Sequence, residues 1–404
     1  PFTTTLGTSN YRAGVNAGDS IAADASHNIC VGDDAGTAIT SGSENVAIGF
    51  EALEAEDTRS GSTALGYRAL KTQNGDTANT HNVAIGADAG LLLLTGNRNV
   101  YVGALSGDAN STGDGNTAVG HNTLGTNTHS ENNVAVGFEA LKTFNIGSGS
   151  GFNTAVGSIA ATGLLTGTTN VFLGARAGEA ATTCDDSVMV GFNAGGDGVV
   201  TGNLNVLVGK DAGKIMTSGN GNTVVGADSG LAMTSAANNT ILGYNAGDSV
   251  TASGNTFLGK ESGDGVTGGG DNICIGRNAT LASANTSNAI TIGIGINTAA
   301  NNFAFGKASN VVLNDFDEDA AFSRASDQRL KTNITAASLG LDFVNDLRPV
   351  TYKWKASADL DADDSELAHL RVADDDGNII NHMTTDLTMH GLIAQEVKTA
   401  LDTA

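Results

Sequence analysis

The sequence predicts a mainly β protein: a repetitive parallel β-roll or solenoid fibre over residues 1–310, then a small α+β domain at the C terminus. Three observations lead there. Gly fills 55 of the 404 positions while Pro fills only two, Pro1 and Pro349. A short apolar triplet ending in Gly recurs as far as Gly306. Beyond residue 311 that periodicity stops and the composition changes.

The composition narrows the architecture. Collagen needs Gly at every third residue and abundant Pro, and neither is present. A flexible Gly-rich linker does not fit a chain in which 40% of the residues are hydrophobic and regularly spaced. Gly without Pro suits tight turns joined to long backbone ladders, because Pro would remove a ladder donor. A net charge of −23 disfavours sequence-independent binding to nucleic acid or anionic lipid, both of which need basic patches. Membrane insertion is not expected, since no run approaches the ~20 apolar residues of a span. Cys30, Cys184 and Cys274 lie far apart with no CxxC pattern, which supports neither a disulfide framework nor a zinc site. The first residue is Pro1, with no Met and no signal peptide, so a preceding segment is expected.

The repeat is the strongest signal. Its glycines include Gly32, Gly49, Gly66, Gly86, Gly103, Gly120, Gly137 and Gly157, continuing through Gly276 and Gly293. The commonest step is 17 residues, with two steps of 20. Asn or a small polar residue precedes most triplets, as in Asn45-Val46-Ala47-Ile48-Gly49. A three-residue strand cannot stand alone, but stacked copies form continuous parallel ladders. Gly supplies the corner dihedrals, and Asn stacks on its own copies in neighbouring coils. At ~4.8 Å per coil the repeats make a column about 75–80 Å long.

Within the triplet, the first and third positions share one face and the middle position takes the other. The third position is aliphatic almost throughout (Ile48, Leu65, Ile85, Val119), so the first and third rows are expected to form the core of the single chain. The middle row runs from Ala47 to Ala155 mostly as Ala, then becomes Phe172, Met189, Leu207, Val224, Ile241 and Phe257. A bulky apolar row facing solvent would be an aggregation hazard, so that row is expected to pack on partner chains, most simply in a homotrimer. Units such as Asn45-Val46-Ala47-Ile48-Gly49 and Asn153-Thr154-Ala155-Val156-Gly157 resemble the head repeats of trimeric bacterial adhesins and the similar repeats of phage tail fibres. That resemblance covers about residues 10–310 and implies a trimeric left-handed β-roll.

Residues 311–325 read as an acidic linker, and three blocks follow. The first is Ala325-Ser326-Asp327-Gln328-Arg329-Leu330-Lys331-Thr332-Asn333-Ile334. The second, Leu339 to Trp354, reads as a helix ending before Pro349 and then a strand carrying Tyr352 and Trp354. The third is His390-Gly391-Leu392-Ile393-Ala394-Gln395-Glu396-Val397. Their order and spacing resemble the endosialidase-type intramolecular chaperone domain at the C terminus of phage fibres and spikes, over residues 326–404. The resemblance implies trimerisation, assistance to folding of the preceding β-structure, and release by autoproteolysis. On that likeness Ser326 matches the nucleophile, Lys331 its basic partner, and Ala325–Ser326 the scissile bond. His390, Gln395 and Glu396 match the trimer and chaperone motif, with a structural role expected for Gln395 and Glu396. The chemistry is sound in itself: a Ser hydroxyl becomes a nucleophile when a neighbouring base takes its proton, and Lys serves once its own proton is lost. The acidic stretch from Ala356 to Met389 reads as an inserted solvated loop, and family members usually continue past the position of Ala404 into a helical tail.

Other candidates are weaker. Gly113-Asp114-Gly115, Gly196-Asp197-Gly198 and Gly263-Asp264-Gly265 lack the register of calcium-binding repeats and read as turns. Aromatics after the repeat Gly (Phe50, Tyr67, Phe138, Phe192, Tyr244) fit a sugar-stacking stripe or corner packing equally well. No metal or other cofactor is expected, and no paired carboxylates mark a glycosidase. The sequence therefore predicts a virion tail-fibre protein for host attachment, extracellular after release. Its expected partners are two further copies, other virion tail proteins, and a cell-surface receptor that is a glycan or an outer-membrane component. The alternatives are a bacterial trimeric surface adhesin and a polysaccharide-degrading tail spike.

Overall fold

The computed structural model describes residues 8–75, 80–308, 310–316, 347–360 and 388–403. The chain divides into two compact units, Pro1–Ser323 and Arg324–Ala404. The first is a parallel β-solenoid, as the repeat predicts, built on a 19-stranded sheet. Each triplet pairs with the next position for position, as in Val46↔Thr63, Ala47↔Ala64 and Ile48↔Leu65. The register survives the longer coils: Val134, Ala135 and Val136 still face Thr154, Ala155 and Val156. The extra residues of that coil go into its turn, where Ser130–Glu131 and Gly149–Ser150 form a short second ladder. The last coil strand, Asn302–Lys307, is met by an antiparallel strand, Asn310–Asp315, which covers the growing edge of the sheet.

The repeat Gly is dictated by close approach. Gly49 has φ +134°, and a Cβ there would lie 2.3 Å from the carbonyl oxygen of Gly66 in the next coil. No L side chain fits that stack. Beside it runs the expected Asn ladder. The backbone N–H of Asn116 donates to Oδ1 of Asn99 at 2.8 Å, and Nδ2 of Asn99 donates to the Gly113 carbonyl at 2.9 Å. These side chains are fully buried. Each spends its amide on backbone groups that the turns leave unpaired, which is the condition for burying it at all.

The facing of the triplet is the reverse of the expectation. The middle row, Ala47 through Tyr101, Phe172, Met189, Leu207 and Phe257, is fully buried inside the single chain. The first and third rows point outward and are half-buried or exposed, with Leu65 at 41% and Leu173 at 47%. The reason is volume. The interior is narrow and filled by the middle residue, by a small residue five positions later, and by the residues six and nine positions later, the last including Ile39, Leu93, Phe144 and Met216. At four coils the middle residue is Ala (Ala47, Ala64, Ala118, Ala135) and its partner is a buried Leu (Leu53, Leu70, Leu124, Leu141), whereas Ala84 meets Gly90 and Ala155 meets the buried Ala161. Where the middle residue is bulky (Tyr101, Phe172, Met189, Leu207), the partner is Gly107, Gly178, Gly195 or Gly213. A Cβ on Gly178 would come within 2.3 Å of the Phe172 ring. Reading the larger aliphatics as the core missed this exchange, because it depends on pairs and not on single-residue hydrophobicity.

Candidate functional site

In the C-terminal unit, Val350–Tyr352 forms a strand antiparallel to Met389–Gly391, with Thr351 opposite His390. Val, Thr and Tyr favour a pleated surface, and Pro349 keeps the preceding residue out of helical conformation. The predicted strand is therefore present but ends at Tyr352. Trp354 lies beyond it, its ring edge-on to Tyr352 with centroids 5.3 Å apart. The helix predicted before Pro349 falls mainly outside the described residues. A helix runs from Ala394 to Thr403, with Glu396 in its first turn, where a carboxylate complements the helix dipole.

One contact joins the second and third sequence blocks. Arg348 Nε donates to Glu396 Oε2 at 3.2 Å, and a terminal guanidinium nitrogen donates to Oε1. This two-pronged bond holds the Glu396 carboxyl below the usual range and raises the Arg348 guanidinium. Both side chains remain solvent-accessible, so the pair orients the helix against the strand more than it stabilises it. Glu396 stands in a sequence motif, whereas the only sequence signal for Arg348 is a cation beside Pro349 in the second block.

The other marked residues divide into two groups. Ala325, Ser326 and Lys331 lie outside the described residues. His390 and Gln395 are placed by their backbones, His390 in the strand Met389–Gly391 and Gln395 in the first turn of the helix. Thus the motif residues His390, Gln395 and Glu396 follow one another through a strand-to-helix connection that Arg348 ties to the neighbouring strand.

On the solenoid, the Gly-Asp-Gly segments are turns. Asp114 accepts the Asn97 backbone N–H at 2.7 Å, and Gly115 has φ +66°. The aromatics after the repeat Gly are exposed, and three of them stack: Phe50 with Tyr67, and Phe138 with His121, each pair with centroids 5.6 Å apart. Among the described residues, no group of three His, Cys, Asp or Glu side chains is placed to hold a metal, and no helix is long and apolar enough to cross a membrane.

A family model described as the chaperone of endosialidase matches residues 326–404. Comparison with curated proteins and with solved structures gives no match. A parallel β-solenoid followed by a segment similar to that chaperone is the organisation of a tail-fibre- or tail-spike-like protein.

Proposed function

We propose that this chain is a homotrimeric virion fibre that serves host attachment, and that residues 326–404 assemble it and then cut themselves free. The observation that carries the reading is the match to the chaperone of endosialidase, which begins at Ser326 directly behind the solenoid unit. Long parallel β ladders form slowly, because loop-closure entropy is lost before non-local contacts repay it. A terminal domain that first gathers three chains starts that pairing in register.

Release follows from Ser326 and Lys331. The neutral Lys331 amine takes the Ser326 hydroxyl proton as Oγ attacks the Ala325 carbonyl carbon. The C–N bond to Ser326 breaks as the Lys331 ammonium returns that proton to the leaving nitrogen, which becomes the free α-amine, and an ester links Ala325 to Oγ. Water then hydrolyses the ester, leaving a carboxylate at Ala325 and the free hydroxyl at Ser326. Freshly expressed chain, denatured and weighed intact, is expected to give two fragments split at Ala325–Ser326. Ser326→Ala and Lys331→Ala are expected to give one uncut mass. A single uncut mass in all three removes the self-cleavage and leaves a fibre whose terminal domain only assembles it.

A further inference from the structure

We infer that the last coils of the solenoid carry a binding stripe for an acidic polysaccharide, formed by the residues that directly follow the repeat Gly. The inference rests on the attachment reading above and deepens it by naming the chemical class of the receptor. From Phe50 to Lys307 that row contains no acidic residue, although the chain holds 43 acidic and 20 basic residues. Its first part is mainly aromatic or small, and its cations gather toward the end: Lys210, Lys260, Arg277 and Lys307. The next residue along each coil behaves oppositely and is where Asp88, Asp211 and Glu261 stand.

The cations differ in how they are satisfied. Lys210 lies 2.5 Å from Asp211, and Lys260 lies 3.1 Å from Glu261. Arg277 and Lys307 are exposed, and no acidic residue occurs between Asp271 and Asp315. Among the described residues neither forms an ion pair, and Glu261, one coil before Arg277, is already engaged by Lys260. Elsewhere the solenoid neutralises such cations locally, as Lys142 with Glu139 and Arg176 with Glu179. The net charge of −23 does not cancel Arg277 and Lys307, because distant carboxylates are screened over about 8 Å at physiological salt. Aromatic surface adjoins them. The Tyr244 ring is 53% exposed, and the Lys260 ammonium of the next coil lies 5.8 Å from its centre. A ring face packs on the apolar face of a sugar, and fixed cations hold its carboxylate or phosphate. The two side by side favour an acidic sugar chain over a neutral one. With coils rising ~4.8 Å, the stripe from Tyr244 through Arg277 to Lys307 is about 20 Å long, which suits a repeating polymer better than a single sugar.

The test measures retention of the full chain on sensors coated with polygalacturonate, phosphomannan or neutral dextran. Binding to at least one acidic polymer and none to dextran is expected, and the polymer bound tells carboxylate from phosphate. Arg277→Glu with Lys307→Glu is expected to weaken that binding by about tenfold or more, and Tyr244→Ala to weaken it less. Arg98→Glu with Lys142→Glu, the same charge change off the stripe, is expected to leave it within about twofold. No acidic polymer bound, dextran bound as well, or equal losses from the two double variants overturns the stripe. A native mass that falls in Arg277→Glu with Lys307→Glu also overturns it, by assigning the cations to contacts between copies. Adsorption to intact bacteria separates this claim from attachment itself. Cells that retain this double variant as well as the parent overturn the stripe and leave attachment standing. A parent that binds the acidic polymer and no cell overturns attachment and leaves the stripe.

Discussion

At the residue scale, the solenoid core obeys a rule of exchange. Leu53, Leu70, Leu124 and Leu141 each sit at φ +50°, a conformation that Gly adopts more easily, opposite a middle-row Ala. Bulk on one side of the interior requires its absence on the other. Phe172→Ala alone is expected to cost about 3–5 kcal/mol. Gly178→Leu alone is expected to destabilise severely, since its Cβ would overlap the Phe172 ring. The double change recreates the Ala/Leu pair of Ala135 and Leu141, so it is expected to recover a coupling of about 1–3 kcal/mol in denaturant titrations. Additive losses would contradict the rule. The same interior silences the cysteines. Burial pushes the thiols of Cys30, Cys184 and Cys274 up to about 11, about 12 and about 12. A thiol reagent at pH 8 is therefore expected to label none of them in the native chain and all three in denaturant, since all three are free.

At the element scale, the triplet, the Gly corner and the Asn ladder were all legible in the sequence, because each recurs at a fixed offset and repetition exposes what a single copy would hide. The facing of the strand was not legible. A three-residue alternation has two equally apolar faces, and which one is enclosed depends on the residues that the rest of the coil sends into the interior, such as Leu53 opposite Ala47 and Leu93 in the coil of Ala84. The ladder makes its own prediction. Asn222 Oδ1 accepts the Asn239 backbone N–H at 3.0 Å, and its Nδ2 donates to the Ala236 carbonyl at 2.8 Å. Asn222→Ala strands a buried donor and is expected to cost about 1–3 kcal/mol in urea unfolding. Asn222→Ser is expected to be milder, because Ser187 already serves one ladder position, its Oγ accepting the Asn205 N–H at 3.2 Å. In the C-terminal unit the strand was legible from Pro349 and the second sequence block, whereas the helix Ala394–Thr403 was not. Arg348 was not, since ion pairs between distant segments leave no periodic trace. Because Glu396 titrates below its unfolded value, the contribution of this pair is present above the ordinary Glu range and lost as pH falls through the lowered value. Arg348→Ala is expected to return the Glu396 titration, followed by NMR, to the ordinary Glu range.

At the scale of the whole molecule, the two units divide the work. The solenoid supplies length and a regular surface, and its coil-by-coil register means that three chains aligned at one end are aligned along the entire ladder. Under the proposed function, the C-terminal segment, similar to the chaperone of endosialidase, supplies that first alignment. The proposed assembly and attachment roles depend on how many chains associate, so native mass spectrometry of the full chain, in its uncut Ser326→Ala form, is the most direct test. The expected species contains three 40.5 kDa chains. A single-chain species across the accessible concentration range would contradict it.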